Sequence, residues 1–329
     1  MSDTEQIVEC VPNFSEGVDE GKLVQIINAM RVEGVSLLDW SMDADHNRSV
    51  VTVAGAPDAV REAAIRAVGK AAELIDLTKQ TGVHPRIGAA DVVPFVPISG
   101  VTLEKCALLA RQAGLEIWKR YGVPVYFYEA AAARPDRAML EDVRRGQFEG
   151  LRDAVRKDVT RRPDVGGPDL HPTAGASCIG ARKFLVAYNI YLDSGDVSIA
   201  RGIARDIRAS NGGLYGVKAM GVLANGRAQV SMNITDFRTT SVGSVYEAVK
   251  RWAARFDVKP IACELIGLIP QDAYEPESEW ARLIHEGVHE GGIPAEGGSQ
   301  AGAAVAGFDP ERKVFESVLR NPREWPPVV

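Results

Sequence analysis

The sequence predicts a mixed α/β protein made of two ferredoxin-like βαββαβ lobes in tandem. The same order of apolar strand patterns and amphipathic helix patterns occurs twice along the chain. The length of 329 residues also exceeds that of one ordinary domain. A polar, glycine-rich and proline-rich stretch at 164–168 separates the two copies. We therefore expect an N-terminal lobe at 1–180 and a C-terminal lobe at 181–329.

The first copy begins with a short apolar strand and a helix whose apolar face is Leu23, Ile26, Ile27 and Met30. Its second helix is rich in alanine and follows Pro57, a residue favoured in the first turn of a helix. The strands are predicted at 7–11, 35–40, 49–55 and 92–96, and the second helix at 59–77. An additional helix at 103–121 and strand at 123–128 follow.

The second copy repeats this order with shorter connections. Asn225-Gly226 lies between its middle strands and predicts a type I′ hairpin turn, in which both central residues need positive φ. The strands are predicted at 184–192, 217–224, 227–234 and 263–269, and the helices at 197–207 and 245–256. Further helices are predicted at 277–290 and 310–320, on either side of a glycine-rich run at 291–307.

Composition excludes several classes of protein. The net charge of −6, from 38 basic and 44 acidic residues, argues against a general nucleic-acid binder. The polar, acidic N-terminus does not resemble a signal peptide, and no apolar run is long enough to cross a bilayer. The four cysteines are scattered, as expected for buried free thiols in a reducing compartment. We expect a cytoplasmic protein without a membrane segment.

The two copies differ most in three loops of the first. The loops at 12–17, 41–47 and 78–88 are polar, and the last two are longer than their counterparts in the second copy. In a βαββαβ unit the first strand, the central hairpin and the second helix all end at the same edge of the sheet. These loops should therefore converge, and loops on a rigid scaffold commonly carry function.

Two of the five histidines, His46 and His84, lie in these loops. An imidazole is the side chain best suited to carry a proton near neutral pH, so His84 is a candidate general acid and base. Asp43, Asp45 and Arg86 are close enough in sequence to influence it. The alternative is a structural histidine in a loop whose aspartates form turns.

Two short motifs were tested as nucleotide-binding or metal-binding sites. Gly175-x-x-x-x-Gly180 lacks the Lys-Ser/Thr pair of a phosphate-binding loop, although Arg182 and Lys183 leave it favourable for an anion. The segment 285–289 reads His-Glu-Gly-Val-His, a zinc-peptidase pattern in which His285 and His289 would be ligands. Its internal glycine and the Gly-Gly pair at 291–292 weaken the helix that such a site needs. A zinc hydrolase remains a minor alternative, and no metal is expected.

Three segments together resemble the glutamate formiminotransferase family, the transferase part of formiminotransferase-cyclodeaminase. The opening segment reads Val-Glu-Cys-Val-Pro-Asn-Phe-Ser-Glu-Gly at 8–17. The histidine loop reads Gly-Val-His-Pro-Arg-Ile-Gly-Ala-Ala-Asp-Val at 82–92, and Gly-Ala-Arg-Lys-Phe-Leu follows at 180–185. The resemblance covers most of residues 7–270.

The resemblance implies two α/β lobes enclosing a ligand tunnel, usually in a homodimer. It implies transfer of a formimino group from N-formimino-L-glutamate to N5 of tetrahydrofolate, the co-substrate, with His84 as the catalytic residue. The implied folate segment consists of Gly166, Gly167, Pro168, Asp169, Leu170, His171, Pro172, Thr173, Ala174 and Gly175. The further implied pocket residues are Asn13, Asn47, Arg48 and Arg86, with Arg182 and Lys183 as contacts for folate or glutamate carboxylates.

Several alternatives remain open at the level of sequence. The donor could carry a formyl group, with 5-formyltetrahydrofolate and glutamate exchanging it, or the protein could bind folate without catalysis. Animal bifunctional members have an aspartate where Ser41 stands, so Asp39, Asp43 and Asp45 are all candidates to support His84. The chain also lacks a cyclodeaminase pattern, so we expect a separate cyclodeaminase to act on the product.

Overall fold

The computed structural model describes residues 5–44, 46–82, 84–286 and 309–328. The chain divides into two compact units, Met1–Lys183 with Pro322–Val329, and Phe184–Asn321. Each unit combines a sheet with helices around its own buried apolar core. The mixed α/β class is therefore confirmed. No described helix is both long and apolar enough to cross a membrane.

The first unit contains the β-α-β-β-α-β order and then continues with further elements. Its strands are β1 Ile7–Cys10, β2 Asn13–Phe14, β3 Val35–Asp43, β4 Arg48–Gly55, β5 Ala90–Ser99, β6 Val125–Glu129 and β7 Ser177–Ala181. Its helices are α1 Glu20–Ala29, α2 Pro57–Leu74, α3 Leu103–Tyr121, α4 Leu140–Val143 and α5 Gln147–Lys157. The strands lie in the order β3-β4-β1/β2-β5-β7-β6, and only β7 pairs with its neighbours in parallel.

Pro12 interrupts the first strand and sets the position of the residues after it. Both β1 and β2 pair with β4 on one side and β5 on the other, so they occupy one row of the sheet. Proline has no N–H to donate to a ladder, and its carbonyl instead accepts a hydrogen bond from Val51. The row therefore ends at Phe14, and Ser15 begins the loop that leaves this edge.

Small residues let the helices of the first unit lie close together. A Cβ at Gly69 of α2 would lie 2.3 Å from the ring of Tyr121 at the end of α3. Thr102 caps the N-terminus of α3 by accepting a hydrogen bond from the backbone N–H of Lys105, and Gly122 ends the helix with φ of 64°. This helical layer leaves the ends of the strands free to carry polar loops.

The second unit has the order β8-α6-β9-β10-α7-β11, followed by short helices. Its strands are β8 Val186–Leu192, β9 Val217–Ala224, β10 Arg227–Ile234 and β11 Pro260–Ile266. Its helices are α6 Val197–Ile207, α7 Val242–Ala253, α8 Glu279–Glu286, α9 Pro310–Lys313 and α10 Phe315–Arg320. The antiparallel sheet has the order β11-β8-β10-β9. Asn225 and Gly226 have φ of 52° and 72°, which confirms the hairpin turn.

Several boundaries differ from the prediction for local reasons. The helix expected from residue 245 begins at Val242, because Ser241 accepts a hydrogen bond from the N–H of Ser244 and caps it. The helix expected at 310–320 is divided at Val314, whose backbone is extended. Strand β7 was not predicted, since it is short and lies among glycines. The glycine-rich run and the end of the helix expected at 277–290 lie outside the described residues.

The C-terminal segment returns to the first unit. The backbone of Arg323 forms a bridge with Leu37 of β3, and its guanidinium lies 2.5 Å from a carboxylate oxygen of Asp39. Arg31 of the loop after α1 donates to the carbonyl of Pro326 at 2.9 Å. These contacts hold 322–328 against the edge strand β3 and neutralise one buried aspartate of the sheet.

Candidate active site

Three loops of the first unit meet at one edge of the sheet, as its topology predicts. Asn47 is the central contact, because its carboxamide accepts from the N–H of Gly17 at 2.8 Å and donates to the carbonyl of Thr81 at 2.7 Å. Ser15 adds a further connection by donating to the carbonyl of Gly88 at 2.7 Å. The loops at 12–17, 41–47 and 78–88 thus form one hydrogen-bonded cluster.

A narrow cleft opens within this cluster. It is lined by Asn13, Phe14, Ser15, Asn47, Arg48, Gln80, His84, Arg86 and Asp91. Five of these residues, the asparagines, the arginines and the histidine, are the ones that the sequence places in a pocket together. Small-molecule sites are typically concave and contain a small number of convergent polar groups.

The imidazole of His84 lies in the cleft with one nitrogen unsatisfied. Its Nε2 atom is buried and has no hydrogen-bond partner among the described residues. The ring of His46 lies 6.3 Å away between centroids and is tilted by 60°. A buried nitrogen without a partner is costly in a folded protein, so His84 is ready to exchange a proton or a hydrogen bond with a ligand.

The surroundings of His84 favour its neutral form. Burial, and then the positive charges of Arg48 and Arg144, lower the pKa of His84 to about 2. His46 contributes in the same direction. At neutral pH the imidazole is therefore uncharged and able to accept a proton.

This depressed pKa predicts a specific loss of stability in acid. The unfolded chain binds a proton at His84 near pH 6.5, whereas the folded chain does so only near pH 2. The contribution is full above pH 6.5 and is lost as the pH falls from 6.5 toward 2. We expect His84→Gln to flatten the decline of the urea midpoint between pH 7 and pH 4.5. Equal declines in both proteins would contradict this assignment.

Arg48 lines the same cleft as His84 and is half-buried. A terminal nitrogen of its guanidinium donates to the carboxamide oxygen of Asn13, whereas its Nε is buried without a partner. In the described part of the chain, no carboxylate oxygen lies within 4 Å of this guanidinium. Burial, and then the charge of Arg144, lower the pKa of Arg48 to about 10.

Asp91 supports the cleft from the start of β5. One of its carboxylate oxygens accepts the N–H of Ile87 at 2.7 Å, which fixes the end of the histidine loop. The other pairs with the guanidinium of Arg144, and only 3% of the Asp91 side chain is exposed. The pair is therefore a buried ion pair whose loss leaves a charge uncompensated.

Arg86 holds the histidine loop on helix α5. Its guanidinium forms two hydrogen bonds with the carboxylate of Glu149, at 2.9 and 3.1 Å. It also donates to the side chain and the backbone carbonyl of Gln80, at 2.6 and 3.2 Å. Bidentate contacts of this kind are geometrically specific. The guanidinium of Arg86 is therefore engaged by the protein itself, and we infer a positioning role.

The positioning role predicts that Arg86 and Glu149 act as a unit. We expect Arg86→Gln and Glu149→Gln each to lower kcat several-fold, because either change releases the loop that carries His84. The double variant should lose little more than either single variant, since contacting residues are non-additive. Steady-state kinetics of the four proteins measures this coupling. Additive losses, or a rise in KM alone for Arg86→Gln, would instead indicate direct substrate binding.

The expected folate segment, 166–175, lies next to the histidine loop but does not line the cleft described above. Its second half is attached to that loop, because Ala89 donates to the carbonyl of Ala174 and Ala176 donates to that of Ile87, both at 2.9 Å. Its first half is exposed from Gly166 to Asp169. The segment remains a prediction for folate binding, with backbone and side chains accessible beside the cleft.

Side chains within this segment have mainly local partners. The Nδ1 atom of His171 accepts the N–H of Ala174 at 3.0 Å, so the ring stabilises its own turn. Burial lowers the pKa of His171. Asp169 pairs with Arg156 of α5 at 2.7 Å on the surface. The shape of the segment is thus maintained by its own contacts.

Arg182 and Lys183 follow β7 and lie outside the cleft lining. The N–H of Arg182 donates to the carbonyl of Phe95 at 3.1 Å, which extends the sheet by one residue. Its charge acts on Glu9 of β1, whose buried carboxyl has its pKa raised to about 8 by burial, against the influence of Arg182. Contacts of Arg182 and Lys183 with ligand carboxylates stay a prediction.

The candidates for an acidic partner of His84 are occupied elsewhere. Asp39 is buried and pairs with Arg323. One carboxylate oxygen of Asp43 lies 2.9 Å from Nδ1 of His46, and the other accepts a hydrogen bond from the backbone N–H of His46. Asp45 lies outside the described residues. Asp91 lines the same cleft as His84 and fixes the end of its loop through the N–H of Ile87.

Some residues of the site were missed by the sequence analysis. Ser15, Gln80 and Asp91 lie within motifs that were recognised, but nothing in the pattern marked them as lining residues. Arg144 and Glu149 lie around two short helices that the pattern did not predict. The one available signal for Ser15, Gln80 and Asp91 was that each is a polar residue within, or next to, one of the converging loops.

The described residues contain no group of three or more His, Cys, Asp or Glu side chains arranged to hold a metal. The four cysteines are buried free thiols. The histidine pair of the zinc-peptidase pattern, His285 and His289, lies outside the side chains that the structure describes. The cleft around His84 is therefore the candidate site that the described residues support.

Comparisons with known proteins cover most of the chain. The model of the formiminotransferase domain, N-terminal subdomain, matches residues 7–182, and that of the formiminotransferase domain matches 187–280. A Streptococcus pyogenes protein named glutamate formimidoyltransferase is 44% identical over 284 residues, 85% of this chain and 95% of its own. A Thermoplasma acidophilum protein of the same name is 43% identical over 272 residues, 81% of this chain and 89% of its own.

A longer relative shows a different arrangement. The formimidoyltransferase-cyclodeaminase of Mus musculus is 39% identical over 277 residues, which cover 82% of this chain and 51% of that protein. The two family models divide the chain between residues 182 and 187, close to the boundary of the two compact units at Lys183. Both subdomain matches and relatives above 40% identity show that this chain belongs to the formiminotransferase family.

Proposed function

We propose that the protein is a glutamate formiminotransferase. It transfers the formimino group of N-formimino-L-glutamate to N5 of tetrahydrofolate and releases L-glutamate. The observation that carries the proposal is the neutral, unpartnered imidazole of His84 in the polar cleft of the first unit. The names of relatives that align over 89% and 95% of their own length support the same reaction.

His84 moves the proton in the proposed reaction. Tetrahydrofolate supplies the nucleophilic N5 amine, and a bond forms between that nitrogen and the amidine carbon of the donor. The Nε2 atom of His84 accepts the proton that N5 loses, and the resulting imidazolium returns it to the α-nitrogen of glutamate as the C–N bond breaks. No net proton is consumed, so one imidazole suffices as base and then as acid.

The surrounding residues hold the reacting groups and their charges. Asp91 and Arg86 fix the two ends of the histidine loop through the N–H of Ile87 and the carboxylate of Glu149. Fixing a catalytic group in reactive geometry can account for a large part of a rate enhancement. We propose that folate binds along 166–175, and that Arg182 and Lys183 contact ligand carboxylates.

The formyl reaction is the alternative on the same site. A formyl donor differs from a formimino donor only in O for NH, and a neutral imidazole can serve either one. A folate-binding protein without catalysis is the second alternative. The buried unpaired nitrogen of His84 favours catalysis over simple binding, because a purely structural ring would be expected to be satisfied.

A donor assay tests the function directly. Purified protein is mixed with tetrahydrofolate and either N-formimino-L-glutamate or 5-formyltetrahydrofolate with glutamate, and product formation is followed by chromatography. We expect rapid glutamate release with the formimino donor and slow exchange with the formyl donor. Absence of turnover with both donors, in protein that binds folate, would support the non-catalytic alternative.

The cellular setting of the proposal follows the family. We propose a cytoplasmic homodimer, with a separate cyclodeaminase acting on the formimino-folate product. The bacterial and archaeal relatives bear the transferase name alone, which supports a division of the two activities between proteins. Sedimentation equilibrium of the full chain measures the oligomeric state.

A further inference from the structure

The cleft around His84 contains three arginines, and they differ in how their charge is balanced. Arg86 is paired with Glu149, and Arg144 is paired with Asp91. Arg48 has no carboxylate within ion-pair distance among the residues that the structure describes. Among the described residues, Arg48 therefore lies beside the imidazole without an ion-pair partner, and Asp43 and Asp91 act on it only from a longer distance.

A half-buried cation without an ion-pair partner is unfavourable unless hydrogen bonds or a ligand compensate its charge. Arg48 is held by Asn13, and its buried Nε has no partner. The guanidinium fork offers parallel donors that match the two oxygens of a carboxylate. The ligand that completes this site is therefore an anion with carboxylate geometry.

We propose that Arg48 binds the α-carboxylate of the glutamate-type substrate, and that this contact activates His84 as a base. The inference rests on the proposed function and identifies which group of the substrate enters the cleft first. An occupied Arg48 loses its excess charge, so the cleft can then accommodate a protonated imidazole. Substrate binding and proton uptake at His84 are thus coupled, and linkage makes the coupling reciprocal.

Two ligands carry carboxylates that Arg48 could bind, the glutamate-type substrate and folate. The distance from each carboxylate to the reacting atoms favours the glutamate-type substrate. In N-formimino-L-glutamate, the α-carboxylate is attached to the carbon that carries the reacting nitrogen. A carboxylate bound by Arg48 therefore brings the amidine carbon next to His84, which lines the same cleft. The carboxylates of folate lie beyond its aminobenzoyl group, far from N5, so they cannot occupy Arg48 while N5 reacts at His84.

The charged groups around His84 determine the sign of the coupling. Arg48 of β4, Arg144 after α4 and His46 of the hairpin loop disfavour a charged imidazole. Two aspartates act on Arg48 itself, Asp43 of β3 and Asp91 of β5, and both favour its charged form. A carboxylate placed on Arg48 adds a negative charge near His84, and such a neighbour raises a histidine pKa by about 1–3 units.

A series of ligands tests the site without altering the protein. Calorimetry of the full chain at pH 6.5 compares L-glutamate with L-glutamine, which keeps the α-carboxylate, and with L-isoglutamine, in which it is an amide. We expect both L-glutamate and L-glutamine to bind, and L-isoglutamine to bind at least about tenfold more weakly than L-glutamate. Equal affinity for L-isoglutamine and L-glutamate would overturn the proposal.

Variants locate the effect at Arg48. Arg48→Gln should weaken L-glutamate binding at least about tenfold, Arg48→Lys should retain part of it, and Arg66→Gln on the exposed side of α2 should retain all of it. Folate and pteroate, which lacks the glutamate tail, are measured in parallel. A loss of folate affinity in Arg48→Gln without a loss for pteroate would assign the arginine to the folate tail and overturn the proposal.

The ring of His84 provides the second readout. In protein labelled at histidine, NMR follows its Cε1–Hε1 signal, assigned by its disappearance in His84→Gln. We expect saturation with L-glutamate to raise its pKa by about 1–3 units in wild type and not in Arg48→Gln. An unchanged titration at saturation would overturn the coupling. If the wild type turns over and Arg48→Gln still binds L-glutamate normally, only the Arg48 site is rejected. If L-glutamate binding depends on Arg48 but the wild type shows no turnover, only the transferase function is rejected.

Discussion

His84→Ala is expected to lower kcat by about 10²–10⁴-fold, because the variant has no group that can accept the proton of the attacking amine. The affinity for folate should change little, since the predicted folate segment is maintained by its own contacts with Ala89 and Ile87. Stopped-flow or steady-state kinetics gives kcat, and quenching of intrinsic fluorescence gives folate affinity. The combination of lost turnover with retained binding distinguishes a catalytic residue from a structural one.

His46→Ala is the matched control for this variant. His46 belongs to the same loop cluster, but its ring is paired with Asp43 and 47% of its side chain is exposed. We expect only a small part of the His84→Ala loss, since removal of His46 leaves the proton acceptor in place. Circular dichroism and urea unfolding verify that both variants fold. A similar loss of kcat in the two variants would falsify a unique role for His84 as the base.

Asp91→Asn is expected to destabilise the first unit by about 3–5 kcal/mol, because it leaves the charge of Arg144 buried without its partner. Asp91 also favours the charged form of Arg48, so the variant removes a negative charge that acts on two neighbouring arginines. It also weakens the hydrogen bond that fixes the N–H of Ile87. Urea unfolding followed by a probe in the first unit measures the change.

Two further variants separate the contribution of the Asp91–Arg144 ion pair to stability from other effects of Asp91→Asn. Asp136→Asn removes a carboxylate from an exposed pair with Arg134 and should cost only about 0–1 kcal/mol. In the double variant Asp91→Asn/Arg144→Met, the unpaired charge is removed and part of the stability should return. If Asp91→Asn costs no more than the exposed control, the buried pair contributes little and the cleft tolerates the extra charge.

Local patterns predicted much of the fold because each pattern has a local physical cause. Helices α3 and α6 have the predicted bounds, since each begins at a capping side chain and each has a continuous apolar face. The hairpin at Asn225 depends on two adjacent residues and was equally predictable. Strand β2 was not, because its pairing depends on neighbours that lie on both sides of it in the sheet.

The convergence of the loops could also be predicted. Successive elements of a βαββαβ unit run in alternating directions, so every second connection lies at the same edge of the sheet. Asn47 confirms it by contacting both Gly17 and Thr81. The role of Arg86 could not be predicted in the same way. Its partner Glu149 is 63 positions away, in a helix that the sequence analysis did not predict, and sequence offers no signal for which charges will meet.

The sequence by itself determined the two-part α/β organisation, the loops that carry function and the identity of His84 as the candidate base. Those features depend on periodicity, turn chemistry and residue type, which are properties of short stretches of chain. Only the tertiary structure decided that Arg86 and Arg144 have carboxylate partners while Arg48 has none among the described residues, and that the surroundings of His84 favour its neutral form. Burial and charge at a site are sums over residues distant in sequence, so they exist only once the chain has folded.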